Sequence, residues 1–141
     1  MTDLSHQVLI DAPAAKVYAA IATQDGMRHW WTADTQMEAS TGGKAEFGFD
    51  NREMVFRMDI KELESAKRVV MQCRGDHPEW SGTTLTWTMD SADGKTDLRF
   101  VHSGWEGVTD FCASCNSMWG NLMYRLKGYV EGRDPGPQWT E

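Results

Sequence analysis

Cysteine is scarce in this chain, with three residues, Cys73, Cys112 and Cys115, among 141. The number is odd and the spacing does not match a small secreted disulfide scaffold, so paired cysteines are not what organises the fold. Basic residues are in deficit, 14 Lys and Arg against 21 Asp and Glu, a net charge of −7. Such a surface repels phosphate backbones and anionic lipid, so nucleic acid is not an expected partner. No apolar run approaches the about 18 residues of a membrane span, and MTDLSHQVLIDAP lacks the basic-then-apolar order of a secretory signal. A cytoplasmic protein without a membrane span is expected. Gly42-Gly43 and Gly104 stand alone, so there is no Gly-rich phosphate loop. Neither Ser103 nor Ser114 sits in a nucleophile elbow, and the acids form no pair whose pKa values can be argued apart. No catalytic residue, metal or cofactor is therefore assigned.

What remains is one ordinary domain's worth of chain, 40% apolar and 25% charged, which excludes a wholly disordered polypeptide. Seven Trp and nine Met stand out. Trp brings large rigid apolar area with one N–H to satisfy, and Met fills irregular gaps. The pairing suits a roomy, adaptable interior or an aromatic-rich core.

The pattern along the chain resolves these residues into elements. Leu4 to Asp11 alternates as a strand with Leu4, His6, Val8 and Ile10 on one face. Pro13 suits the first turn of a helix carrying Ala14, Val17, Tyr18 and Ile21 on one side. Asp25-Gly26 breaks it, and Met27 to Trp31 forms a second short helix. Alternating segments follow at 36–39, 44–50, 53–63, 68–74, 82–89 and 96–103, with a hairpin turn at Ala92-Asp93-Gly94-Lys95. Glu62-Leu63-Glu64 and Asp90 to Asp97 read as solvated turns. Thr109 is placed to cap a last helix over 109–131, which at 1.5 Å per residue would run about 34 Å. Its apolar stripe includes Cys112, Cys115, Met118, Trp119, Leu122 and Leu126, and Gly120 and Gly128 lie inside it. One-sided alternation predicts an antiparallel sheet of six to seven strands, and this helix is the element long enough to cover it. Residues 1–132 form the expected domain, with 133–141 a loose tail.

Particular stretches carry a family resemblance. They are Val8-Leu9-Ile10-Asp11-Ala12-Pro13 leading into Val17-Tyr18-Ala19-Ala20-Ile21, then Trp30-Trp31, then Thr96 to Trp105, Met118-Trp119-Gly120-Asn121-Leu122 and Leu126 to Gly132. In order and spacing the chain resembles the START-like (SRPBCC, birch-pollen-allergen-like) superfamily, in particular the subfamily similar to the C-terminal domain of the heat-shock protein 90 ATPase activator. The likeness covers nearly the whole chain, with one departure: the family places Gly before the last-helix Trp, whereas Gly120 follows Trp119 here. The resemblance implies an α+β helix-grip fold, a curved antiparallel sheet wrapped around a long C-terminal helix, with an apolar cavity between them. Superfamily members bind lipids, sterols or polyketides, and some are cyclases or hydrolases.

Binding of a small hydrophobic molecule in that cavity is the expected function. The expected lining is Trp30, Phe47, Phe49, Phe56, Met58, Met71, Trp87, His102, Cys115, Met118, Trp119 and Leu122, with His102 at the polar end. Trp30-Trp31 could stack a ligand, or one Trp could close the core under the short helices while the other sits half exposed; the structural role is expected for Trp31, and Trp30 is left open. Cys112 and Cys115, three apart on the helix, share a face; with His102 they could be read as a zinc set, or alone as a redox pair. The apolar stripe favours simple burial. The alternative function is a chaperone partner. The activators that give the subfamily its name carry a further N-terminal domain, for which there is no room before Leu4, so stimulation of the chaperone's ATPase is not expected. The oligomeric state is left open.

Overall fold

Strict alternation drives seven segments of this chain into one sheet. The computed structural model describes residues 1–141. Strand β1 (Thr2–Ile10) is followed by helices α1 (Ala14–Ile21) and α2 (Gln24–Trp30). Strands β2 (Thr35–Met37), β3 (Lys44–Phe49), β4 (Met54–Glu64), β5 (Arg68–Cys73), β6 (Thr84–Ala92) and β7 (Lys95–Trp105) come next, and α3 (Asp110–Val130) closes the chain. The strand order is β1-β7-β6-β5-β4-β3-β2 and every pairing is antiparallel. Consecutive strands are therefore neighbours except at one place. The β1–β2 connection carries α1 and α2 from one edge of the sheet to the other.

The buried face of this curved sheet reads directly from the alternation. It presents Val8 and Ile10 from β1, Met58 and Ile60 from β4, Val69 and Met71 from β5, Leu85 and Trp87 from β6, and Leu98 and Phe100 from β7. Register pairs bring the large residues together, Phe47 opposite Phe56 and Trp87 opposite Phe100. A bulge between Ile60 and Glu62 interrupts the β4–β5 ladder, and bulges bend strands and sharpen twist. At the β6–β7 turn, Asp93 (φ 55°) and Gly94 (φ 75°) both take left-handed conformations, as a two-residue turn of type I′ requires.

Helix α3 lies on the concave face, burying Cys112, Cys115, Trp119, Leu122, Met123 and Leu126. Thr109 caps it: its Oγ1 accepts from the Cys112 backbone N–H at 3.0 Å. Gly120 does not interrupt it. A methyl group there would meet His6 of β1 at 3.7 Å, an ordinary contact. Gly26 is different, since a Cβ would fall 2.5 Å from the Ala19 carbonyl oxygen. Glycine at that position is what lets α2 lie against α1.

Three sequence expectations need correction. Glu62–Glu64 and the residues flanking the Asp93-Gly94 turn are strand, not turn: Glu62 pairs with Val70, Glu64 with Arg68, and Asp90 with Asp97. The side chains of Glu62, Glu64 and Asp90 face solvent, so the composition resembles a loop while the ladder continues beneath. Pro13 occupies the N-cap of α1 with extended backbone, one step before the first turn. The 133–141 tail is docked rather than loose. The Ala33 N–H donates to the Trp139 carbonyl at 2.9 Å, and the Trp139 N–H to the Trp31 carbonyl at 3.1 Å. A single backbone bridge between Thr32 and Trp139 has no periodicity to reveal it in sequence.

One continuous cluster of 35 buried apolar residues forms the core, so the chain has a single interior. Six of the seven tryptophans, all but Trp139, are at most 1% exposed, so indoles fill much of that interior.

Candidate functional site

Trp119 occupies the middle of the grip. From α3 it reaches onto the sheet, 4.3 Å between ring centres from Phe100 and 5.1 Å from Trp31. Its indole N–H donates to His102 Nδ1 at 3.1 Å. His102 Nε2 lies 2.8 Å from Thr83 Oγ1, and that hydroxyl donates to the Trp80 carbonyl at 2.6 Å. Since Nδ1 accepts and the hydroxyl proton is committed elsewhere, Nε2 carries the imidazole proton and donates to Thr83. Burial pushes the His102 pKa down to about 3, so the ring is neutral. Both ring nitrogens are thus used inside the core.

Eight of the residues expected to line a cavity, Trp30, Phe47, Met58, Met71, Trp87, His102, Trp119 and Leu122, have no exposed surface. They are the packed floor of the grip. Trp31 is equally buried, because it stacks on Phe47 at 4.3 Å and the Trp139 segment is hydrogen-bonded along it, so neither Trp of the pair is half exposed. The other four, Phe49, Phe56, Cys115 and Met118, come together at one end of the sheet, where they line an apolar pocket of about 250 Å³.

Six parts of the chain build that pocket. The end of β3 supplies Phe49, the turn after it Asp50, and the start of β4 Met54 and Phe56. The β5–β6 connection supplies Trp80, whose ring stacks on Phe56 at 4.1 Å. The first half of α3 supplies Phe111, Ser114, Cys115 and Met118. The docked tail supplies Trp139, edge-on to Phe49 at 4.8 Å. At the rim, Asp50, Asn51 and Arg52 all have left-handed backbones (φ 53°, 56° and 66°), an arrangement that costs non-glycine residues free energy. Arg52 offsets this with two hydrogen bonds to Asp34, at 2.8 and 2.9 Å.

The pocket's electrostatics are simple. Asp50 is its one charged residue. Trp80 Nε1 is buried with no nitrogen or oxygen partner and lies beside the Cys115 thiol, a weak acceptor. Burial pushes the Cys115 thiol up to about 11, with the neighbouring Trp80 N–H pulling weakly the other way. Cys73, in the core, rises to about 12 for the same reason. These are protonated, poorly nucleophilic thiols. All three cysteines are unpaired, and no group of three or more His, Cys, Asp or Glu is placed to hold a metal ion.

Sequence reasoning missed Asp50, Met54, Trp80, Phe111, Ser114 and Trp139 as pocket residues. Phe111, Ser114, Cys115 and Met118 fall at i, i+3, i+4 and i+7, so helical spacing could have found that wall. Trp80 and Trp139 sit in aperiodic segments and gave no such signal. A larger groove of about 500 Å³ lies toward the other end of α3, among Asp11, Asp90, Asp97, Lys95 and Lys127. Its charged walls suit water rather than an apolar guest. No helix is long and apolar enough to cross a membrane.

The comparisons with known proteins agree with this architecture. The family model described as "Activator of Hsp90 ATPase homolog 1-like protein" matches residues 11–131. No curated protein matches the sequence. Among solved structures, that of the Aha1 dimer from Colwellia psychrerythraea is 31% identical, covers 94% of this chain and 98% of its own, and superposes with a TM-score of 0.84. A Mesorhizobium loti protein is 15% identical over 92% of this chain and 97% of its own, with a TM-score of 0.83. CalU16 from Micromonospora echinospora is 15% identical over 96% and 78%, with a TM-score of 0.77. The last two likenesses concern the fold alone.

Proposed function

Because the chain belongs to the family of activator of Hsp90 ATPase homolog 1-like proteins, with its helix-grip fold, we propose that it binds a small hydrophobic molecule at the mouth of the grip. The observation that carries this reading is the pocket walled by Phe49, Phe56, Trp80, Phe111 and Met118. Ligand sites are concave and mostly apolar with a few polar groups, and this pocket has that character. Its volume of about 250 Å³ exceeds the roughly 150 Å³ cavity known to hold benzene, and falls below the usual range for drug-sized ligands. A guest of one or two rings fits these dimensions better than a sterol or a full acyl chain. The three unpaired cysteines suit work in a reducing compartment such as the cytoplasm.

The test is a thermal-shift screen against fatty acids, sterols, flavonoids and polyketide-like aromatics, read in parallel by tryptophan fluorescence. A ligand at a hundredfold excess over its dissociation constant should stabilise the fold by about 2.7 kcal/mol. Trp80 and Trp139 in the pocket wall should report the same event. If no compound in the panel moves either signal, the binding reading fails.

A second reading is a chaperone partner, favoured by the 31% identity to a protein described as Aha1. Its test is the ATPase rate of a heat-shock protein 90 with increasing amounts of this chain. A dose-dependent rise supports partnership; a flat response argues against it.

A further inference from the structure

Two of the residues lining the apolar pocket are polar, Asp50 and Ser114, and only Asp50 is charged. Both are exposed, so a guest can reach them, and both offer acceptor oxygens. The lining holds no Lys, Arg or His to offset the carboxylate. The polar side chains that follow Asp50 are committed elsewhere. Asn51 donates to Glu141 at 3.1 Å, and the Arg52 guanidinium is taken by Asp34 and Glu46. Asp50 also borders a second depression, of about 380 Å³, which shares Trp139 with the pocket and adds Glu53 and Glu141 but no Lys or Arg. The apolar slot and this acidic vestibule therefore meet at Asp50 and Trp139. A guest lodged in the slot keeps its polar end at that junction, where water still reaches it. An anionic end would sit beside a like charge, and a cationic end beside an opposite one. The net charge of −7 acts in the same direction at longer range. An ammonium has three donors for these oxygens and is attracted to any ring face it approaches.

We infer that the pocket selects one- or two-ring molecules carrying a protonated amine, with the rings in the apolar slot and the ammonium on the Asp50 carboxylate. This inference rests on the binding reading above and adds the guest's charge to it.

Three naphthalenes with the same number of non-hydrogen atoms separate the possibilities by calorimetric titration at pH 7.5 and low salt: 1-(2-naphthyl)ethylamine, which is protonated there, 2-acetylnaphthalene and 2-naphthoate. The amine should bind most tightly, the neutral ketone next through its rings alone, and naphthoate most weakly, at least fivefold below the amine. Asp50→Asn removes the charge and keeps the turn, because Asn accepts the left-handed backbone of this position (φ 53°). In that variant the amine should lose about two- to fivefold, the worth of one exposed ion pair, the ketone should be unchanged and naphthoate should bind more tightly. Asp93→Asn removes the same charge from the β6–β7 turn, where the backbone is also left-handed (φ 55°), and should leave all three affinities as they are. Tightest binding of the ketone or of naphthoate overturns selection for a cation and leaves the pocket standing. So does an amine affinity that Asp50→Asn leaves unmoved, or that Asp93→Asn lowers equally. If none of the three binds, the binding reading itself falls, and this inference with it.

Discussion

His102 ties the stability of this protein to pH in a way that can be worked out from its surroundings. The ring has no exposed surface, and it is packed among neutral groups: Thr83, Trp119 and the rings of Trp80 and Trp105. Its pKa falls from 6.5 to about 3 in the folded chain. The depressed group is a base, so the unfolded chain binds a proton that the folded chain refuses between those values. Stability is therefore full above pH 6.5 and is lost as pH falls toward 3. The whole window corresponds to roughly 5 kcal/mol, and the loss between pH 7.5 and 5 to about 2 kcal/mol. Carboxylates add little in that narrower window. Glu131, held down to about 2, contributes stability that is lost only below its ordinary value of 4.5.

Urea unfolding at pH 7.5, 6 and 5, followed by tryptophan fluorescence, measures this slope. His102→Gln is the informative variant. The amide can still donate to Thr83, but the Trp119 N–H loses its acceptor, so the variant should be about 1–3 kcal/mol less stable at pH 7.5. Its stability should also fall by about 2 kcal/mol less than the unsubstituted protein's on going to pH 5. Parallel pH profiles for the two proteins would refute the linkage. So would an imidazole resonance of His102 that titrates near pH 6.5 in the native protein, a measurement that needs no variant.

Other outcomes are expected. Cys115 and Cys73 should react with thiol reagents far more slowly in the native state than in urea, and 2-acetylnaphthalene should slow Cys115 further because that thiol lines the pocket; fast native labelling would contradict their burial. Gly120→Ala should stabilise the fold by about 0.5–1 kcal/mol, since the added methyl meets His6 at ordinary contact distance and removes glycine's entropy cost; a drop in melting temperature would show that the helix needs the closer approach. Trp139→Ala should free the tail to proteolysis, cost about 1–2 kcal/mol of packing and weaken binding in the pocket; an unchanged digestion pattern would mean the backbone bridge alone holds the tail. Glu131 accepts from the Asp11 backbone N–H at 2.7 Å and from Lys127 and Arg133, so Glu131→Gln should cost about 1–2 kcal/mol at neutral pH. That difference should shrink as pH falls from 4.5 toward 2; a constant difference would mean that the charge does not matter.

How much of this was legible in the sequence depends on which residues carry a period. The alternation of Met58 with Ile60, Leu85 with Trp87 and Leu98 with Phe100 announced the buried sheet face, and the helical stripe from Cys112 to Leu126 announced what covers it. The Thr109 cap and the Asp93-Gly94 turn were legible because their chemistry is local. Glu62–Glu64 misled because strand ends that face solvent have the composition of loops. The full burial of the Trp30-Trp31 pair was not legible because the tail meets Trp31 through one backbone bridge more than a hundred residues along the chain. The pocket lies where both kinds of signal run out. Its α3 wall is periodic, while Asp50, Trp80 and Trp139 come from a turn, a connection and a tail.

The abundance of tryptophan, read from composition as consistent with a roomy interior, has the opposite consequence at the centre of the grip. Trp119 is wedged among Phe100, Trp31, Trp80 and Trp87. Its single polar atom is used on His102, and the rings around it are at most 1% exposed, so the middle offers no space to a guest. Large rings packed this way leave room only where the sheet and helix end and where side chains must come from loops. That is why the pocket is small and rimmed by a left-handed turn. A grip with leucines in place of these indoles could hold a long acyl chain along α3. With tryptophans, the same fold leaves its apolar pocket at the end of the helix, away from His102.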